Sequence, residues 1–150
     1  MIALDTNILI YAITDDDAQQ RHQAACDLLD RIAHLRAIVP LQVVGEFLNV
    51  CRKRKRLSYT AAIDRSDHIL RVYRCIAATR PDYLRAAITA HRHRIQYFDA
   101  LIVTVAARAG ATVLLSEDMH DGVQIDGLTV LNPFNPANAE AIAELLAPSG

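Results

Sequence analysis

Short apolar runs alternate with longer stretches of helical periodicity along the chain. Met1 to Leu4 reads as a buried β run, and Asp5-Thr6-Asn7 follows at its end, before the apolar stretch Ile8 to Ala12. Ala25, Leu28, Leu29, Ile32 and Leu35 then recur at the spacing of an amphipathic helix, and Asp17 with Gln20 three residues on resembles its capping box. Ala37-Ile38-Val39 predicts a short buried strand, Pro40 a turn, and Val43, Val44, Phe47, Leu48 and Val50 a helix that runs into a basic cluster. Ser58 is placed to cap a third helix reaching about Arg71, residues 72–77 fit either a helix end or a short strand, and Pro81-Asp82 suits the first turn of another helix.

The stretch from Phe98 to Ala109 is apolar nearly all round, which predicts a buried helix, with Gly110 as the residue just past its end. Thr112 to Leu115 is a second strand-like run, and it delivers Ser116-Glu117-Asp118 much as the first delivers Asp5. Gly122 and Gly127 bracket a turn or hairpin. Leu128 to Leu131 forms a last strand, ended by Asn132-Pro133-Phe134, and the Ala-rich residues 135–150 either dock as a helix or fray as a tail. Strands alternating with helices, without repeat or linker, predict a single α/β domain over residues 1–150, with a central, mostly parallel sheet flanked by helices.

Composition narrows the class. At 150 residues and 52% hydrophobic the chain can bury a core without staples. Cys26, Cys51 and Cys75 form no CxxC or Cys/His pattern, so neither a disulfide framework nor a zinc site is indicated, and a reducing cytoplasm fits. No apolar run approaches the roughly 20 residues of a membrane span, and no basic lead-in marks a targeting segment. The expectation is a soluble cytoplasmic protein without a membrane partner.

A net charge of −1 argues against nucleic acid, whose binding is dominated by cation contacts to phosphate. The distribution weakens that objection. Arg52-Lys53-Arg54-Lys55-Arg56 is an unbroken basic run, and His91-Arg92-His93-Arg94 is a second cluster. Each is either a solvated helix face or a patch that tracks phosphates, Arg92 and Arg94 being the candidates in the second.

Most of the 17 acids fall where helix surfaces or turns put them, but four do not. Asp5 and Asp118 end strands, where ligands of open α/β sheets gather, while Glu46 and Asp99 stand in apolar helical surroundings. An unpaired carboxylate there costs several kcal/mol. Singly, each has a plain alternative: Asp5 or Asp118 as a turn or cap residue, Asp99 as the N-cap of its helix, Glu46 as a partner for arginine. Jointly, four acids at one sheet edge repel each other unless a cation neutralises them, and hard oxygen ligands without histidine select Mg²⁺, or Mn²⁺, over zinc. A water polarised by such an ion is a nucleophile suited to phosphodiester hydrolysis. Thr6, Asn7 and Ser116 beside the acids suit the orienting of ligands or a substrate phosphate, and ordinary turn chemistry accounts for them as well.

With Asp5-Thr6-Asn7-Ile8-Leu9, Glu46, Tyr97-Phe98-Asp99-Ala100-Leu101-Ile102 and Leu115-Ser116-Glu117-Asp118-Met119 in that order, the chain resembles the PIN-domain nucleases. Asn132-Pro133-Phe134 and the short length narrow the resemblance, over about residues 1–134, to the VapC-like toxins of toxin–antitoxin modules. It implies a Rossmann-like sandwich, Mg²⁺- or Mn²⁺-dependent endoribonuclease activity, a homodimer, and inhibition by a small cognate antitoxin. Carried over by position, Asp5, Glu46, Asp99 and Asp118 match the family's acidic quartet as catalytic and metal-binding residues. Ser116 matches its small hydroxyl residue, and Glu117 and Asp121 lie near enough to be ligands or supports.

Competing readings fail on particular residues. A haloacid-dehalogenase-like phosphatase needs a second Asp where Asn7 stands, and both it and a phosphoacceptor receiver domain need a lysine after a later strand. The chain's lysines are Lys53 and Lys55, inside the basic run. Two readings keep the fold and change the role: an RNA-processing nuclease without an antitoxin, and a catalytically silent module that binds RNA or protein.

Overall fold

The structure, a computed structural model, describes residues 1–13, 20–35, 37–53 and 57–147. Asp17 of the expected capping box, and Arg54, Lys55 and Arg56 of the basic run, lie outside the described residues. Among the described residues six strands form one sheet: β1 (Ile2–Leu4), β2 (Ile38–Pro40), β3 (Arg74–Ile76), β4 (Val113–Leu115), β5 (Gln124–Ile125) and β6 (Leu128–Leu131). Their order in space is β3-β2-β1-β4-β6-β5, parallel throughout except for the antiparallel β5–β6 pair. The helices are α1 (Thr6–Tyr11), α2 (Arg21–Ile32), α3 (Leu41–Lys53), α4 (Tyr59–Val72), α5 (Arg80–His93), α6 (Tyr97–Arg108) and α7 (Ala139–Leu145). This is the expected α/β architecture, with a mostly parallel sheet flanked by helices.

Local chemistry explains most element ends. Ser58 caps α4 by accepting a hydrogen bond from the Ala61 amide, as expected of it. Gly110 follows α6 at φ +94°, a left-handed conformation that glycine adopts without penalty. The hairpin between β5 and β6 turns on Asp126 and Gly127, at φ 50° and 84°, the positive values that a tight turn between twisted strands requires. The ambiguous segment 72–77 resolves into β3, because an edge position beside β2 offers its backbone a parallel partner.

Three local expectations change. Pro40 makes no turn; it is the last residue of β2, buried, and α3 starts at the next residue. Proline lacks the N–H to continue a ladder and suits a strand's end. Helix α2 begins at Arg21 with Gln20 itself as a left-handed N-cap that makes no side-chain capping bond. Helix α6 is buried from Ala100 to Ala106, but Phe98 in its first turn is 55% exposed and meets Tyr97 edge-on.

One continuous core runs through the sheet and the helices on both sides, from Ile2, Leu4 and Ile8 through Ile38, Phe47 and Ile102 to Leu114 and Val130. Residues after Phe134 belong to it. Ile142 and Leu146 are buried there, so the Ala-rich end docks as α7. Asp121 holds this end in place: its carboxylate accepts from the Asn132 amide and from the side-chain amides of Asn135 and Asn138. These bonds outweigh its desolvation and hold its carboxyl pKa below the ordinary carboxylate range. Asp121→Ala leaves those donors short of acceptors and is expected to cost about 1–3 kcal/mol. Thermal unfolding would read this as a lowered Tm, and hydrogen exchange would show the α7 amides losing protection before the sheet.

Candidate active site

The parallel β1–β4 pairing sets Leu4 opposite Leu115, so both strands end level and the next residues, Asp5 and Ser116, stand side by side. The Asp5 amide continues the ladder by donating to the Leu115 carbonyl at 3.1 Å. The Ser116 hydroxyl donates to one Asp5 carboxylate oxygen at 2.6 Å, while the other accepts from the Thr6 amide at 2.7 Å and so caps α1. The cap and the site residue are one group.

Thr6 carries the connection outward. Its hydroxyl donates to Glu46 at 2.8 Å, and the Gln42 side chain, one turn earlier on α3, donates to the other Glu46 oxygen at 2.9 Å. Among the described residues Glu46 is therefore held by neutral donors and not by arginine. Asp99 sits half-buried in the first turn of α6, whose N-cap is Gln96, and Asp118 is exposed on the loop after β4.

The charges of these acids act on one another. Burial pushes the Asp5 carboxyl up to about 6 against the lowering effect of Ser116 and Thr6, with repulsion from Asp99 and Glu46 adding to the rise. Asp99 is raised by desolvation, then by the charges of Glu46 and Asp118. Glu46, Asp118, Asn7 and Thr6 line a cleft of about 250 Å³, and Asp118 also lines the adjoining hollow with Asp99 and His120. Asp118 is thus the common wall between them.

Among the described residues no group of three or more His, Cys, Asp or Glu side chains is gathered closely enough to hold a metal as it stands. The donor set fits a small hard cation that binds a few carboxylate oxygens and keeps several waters, the habit of Mg²⁺. Asn7 supports that fit: both polar atoms of its side chain are buried without a hydrogen-bond partner among the described residues, beside the cleft.

The remaining candidates are placed differently. Glu117 forms an ion pair with Arg21 and accepts from the Tyr11 hydroxyl; the Arg21 guanidinium lies 5.3 Å from the centre of the Tyr11 ring, and Phe134 meets that ring edge-on. Burial and the Glu117 contact push the Tyr11 hydroxyl up to about 12. Asp121 is committed to the asparagines near α7. Arg52 and Lys53 are exposed at the end of α3; Arg92 reaches Asp126 at 4.0 Å, and Arg94 is the left-handed C-cap of α5. Sequence reasoning missed Tyr11, Arg21, Gln42 and His120. Only Gln42 carried a readable signal, its spacing of four from Glu46.

The fold and the row of acids along one sheet edge define a class, and comparison with known proteins agrees. The family model described as PIN domain matches residues 2–120, and the chain belongs to that family. Among solved structures it is similar to VapC20 of Mycobacterium tuberculosis, a sarcin-ricin loop cleaving toxin, at 21% identity and a TM-score of 0.66, over 79% of this chain and 90% of that one. A toxin–antitoxin complex from Klebsiella pneumoniae matches at 20% identity and a TM-score of 0.64, over 89% and 98%. FitAcB from Neisseria gonorrhoeae matches at 19% identity and a TM-score of 0.66, over 90% and 99%. A comparison with curated proteins found no match.

The raised Asp5 carboxyl has a consequence for stability. Between the ordinary carboxylate value of about 4 and its folded value of about 6, the folded chain binds more protons at Asp5 than the unfolded one. Stability contributed at this position therefore falls as pH rises through that window and stays low at neutral pH. Asp5→Asn can keep both bonds, accepting from Thr6 and donating to Ser116. It is expected to raise the stability of the metal-free protein at pH 7 by about 1–3 kcal/mol. Thermal melts of the two proteins should converge below about pH 4; a constant gap would remove Asp5 titration as the cause.

Proposed function

We propose that this chain is a metal-dependent endoribonuclease and the toxin of a toxin–antitoxin pair. The observation that carries the reading is the level ending of β1 and β4, which sets a buried carboxylate within the field of acids from α3 and α6. Membership of the PIN family supports a nuclease, and the relatives described as toxins or toxin–antitoxin complexes support an antitoxin partner.

Asp5, Glu46, Asp99 and Asp118 would hold the cation, Mg²⁺ or Mn²⁺. When bound, the ion offsets their mutual repulsion, stabilises charge on a phosphoryl oxygen and makes water a better nucleophile at neutral pH. Ser116 and Thr6 fix the Asp5 oxygens, and Thr6 and Gln42 fix those of Glu46, so that two carboxylates are oriented before substrate arrives. Asp99, with its acidity weakened, suits the acceptance of a proton from the attacking water. Asn7 is the amide available to orient a substrate phosphate. Glu117, tied to Tyr11 and Arg21, braces the loop that presents Asp118, and Asp121 braces the chain that follows it.

RNA phosphates would be drawn to the basic end of α3, Arg52 and Lys53 followed by Arg54, Lys55 and Arg56, and to Arg92 and Arg94. An acidic cleft is also a target for an arginine from the antitoxin, whose planar guanidinium matches paired carboxylates. The protein is expected to act in the cytoplasm as a homodimer.

The test is cleavage of total cellular RNA by the purified protein, free of antitoxin, with Mg²⁺ or Mn²⁺, with EDTA, and with Asp99→Asn. Discrete fragments should appear only with metal, and Asp99→Asn should slow their formation at least about 100-fold while the fold persists. Metal-independent cleavage, or an unimpaired variant, would remove the acids from the chemistry. Replacing Arg52 and Lys53 with Ala should weaken RNA binding and flatten its dependence on salt; a binding curve with the same salt slope would return them to an ordinary solvated helix end.

A further inference from the structure

A second polar hollow lies away from the acids, and it carries the opposite charge. Arg85, Thr89 and Arg92 lie along one face of α5, spaced by four and three residues; Thr104 and Arg108, four apart, face them from α6, and Asp126 of the β5–β6 turn closes one end. Together they line a space of about 570 Å³. It shares no residue with the acidic cleft, since Asp99 occupies the first turn of α6 and this hollow its later turns.

The fixed charges there do not balance. Arg108 is neutralised by Asp82, to which its Nε donates at 3.0 Å, and is locked further by the Ala77 carbonyl at 2.8 Å. Asp126 accepts from the Thr89 hydroxyl at 2.9 Å and is reached by Arg92 at only 4.0 Å, with the arginine side chain 66% exposed. Such a pair is weak. Arg85 has no ion pair among the described residues, which leaves a surplus of positive charge around the space. At its wall the Thr104 hydroxyl is buried without a hydrogen-bond partner among the described residues, an unmet requirement of the kind a ligand or ordered water fulfils.

Surplus guanidinium with hydroxyls between matches an anion that offers several acceptor oxygens. Arg85 and Arg92 are seven residues apart, about 10 Å along the helix, a span that favours more than one charged group over a single carboxylate. We propose that the α5–α6 hollow is a phosphate-binding site, separate from the acidic cleft, which takes linked phosphates of a nucleotide or an RNA strand through Arg85 and Arg92.

Both arginines are exposed, so their removal should leave the fold intact. Inorganic pyrophosphate titrated into the full chain in EDTA, followed by NMR, should bind saturably and shift resonances of α5, α6 and the Asp126 turn. The doubly substituted Arg85→Ala, Arg92→Ala protein should bind at least about tenfold more weakly. Thr104→Val, similar in shape but without the hydroxyl, should weaken binding by a smaller factor. Displacement by ADP but not by an oligoribonucleotide without terminal phosphates would identify a free nucleotide as the source, and the reverse an RNA backbone. Absence of saturable binding, equal affinity in the double variant, shifts confined to the acidic cleft, or displacement by neither competitor would overturn the proposal.

Discussion

The structure turns on the register of β1 against β4. Because Leu4 and Leu115 are paired, two strands far apart in sequence end at one level, and their next residues meet as a hydrogen-bonded carboxylate and hydroxyl. A parallel register is enforced by burial: Ile2, Ala3 and Leu4 are sealed between neighbours on both sides, and a shift by one residue would turn every side chain to the other face. Sliding the pair would also separate Asp5 from Ser116. The packing that makes the core and the contact that makes the site are therefore one constraint.

Around that point the chain uses neutral donors for orientation and leaves charge uncompensated. Asp5 and Glu46 are held by hydroxyls, an amide N–H and a carboxamide. Other acids receive strong compensation: Asp82 meets Arg108, Asp121 meets a cage of asparagine donors, and Glu117 meets Arg21 and Tyr11. The contrast appears in the pKa values, lowered for Asp82 and Asp121 and raised for Asp5 and Asp99. Carboxyls raised by burial and by one another's charge mark the place where a cation would restore balance.

Helix α6 organises this charge. Its first turn brings Asp99 to the acidic cleft, its middle is buried in the core, and its last turn brings Arg108 to the basic hollow against α5. A chain with a net charge of −1 thus keeps opposite signs at separate places on one buried rod. Overall charge says little about its partners; the distribution says more.

The elements with a strong period or a clear terminal residue were legible in the sequence: β1, β4, the buried helix with Gly110 behind it, and Ser58 as a cap. Asp5 and Asp118 stood out by ending strands, Glu46 and Asp99 by interrupting apolar runs, since the cost of burying a charge is readable without coordinates. What the sequence did not display was partnership. Nothing local says that Pro40 ends a strand without a turn, because that depends on β3 lying beside β2. The same limit holds at the site: Glu117 and Asp118 are adjacent in the chain, yet Tyr11 and Arg21 bind the first and leave the second exposed to the cleft. Residue type and spacing set which groups must be buried or capped; only the tertiary structure decided which distant donors reach them, because hydrogen bonds and ion pairs depend on separations of a few ångströms that chain order does not fix.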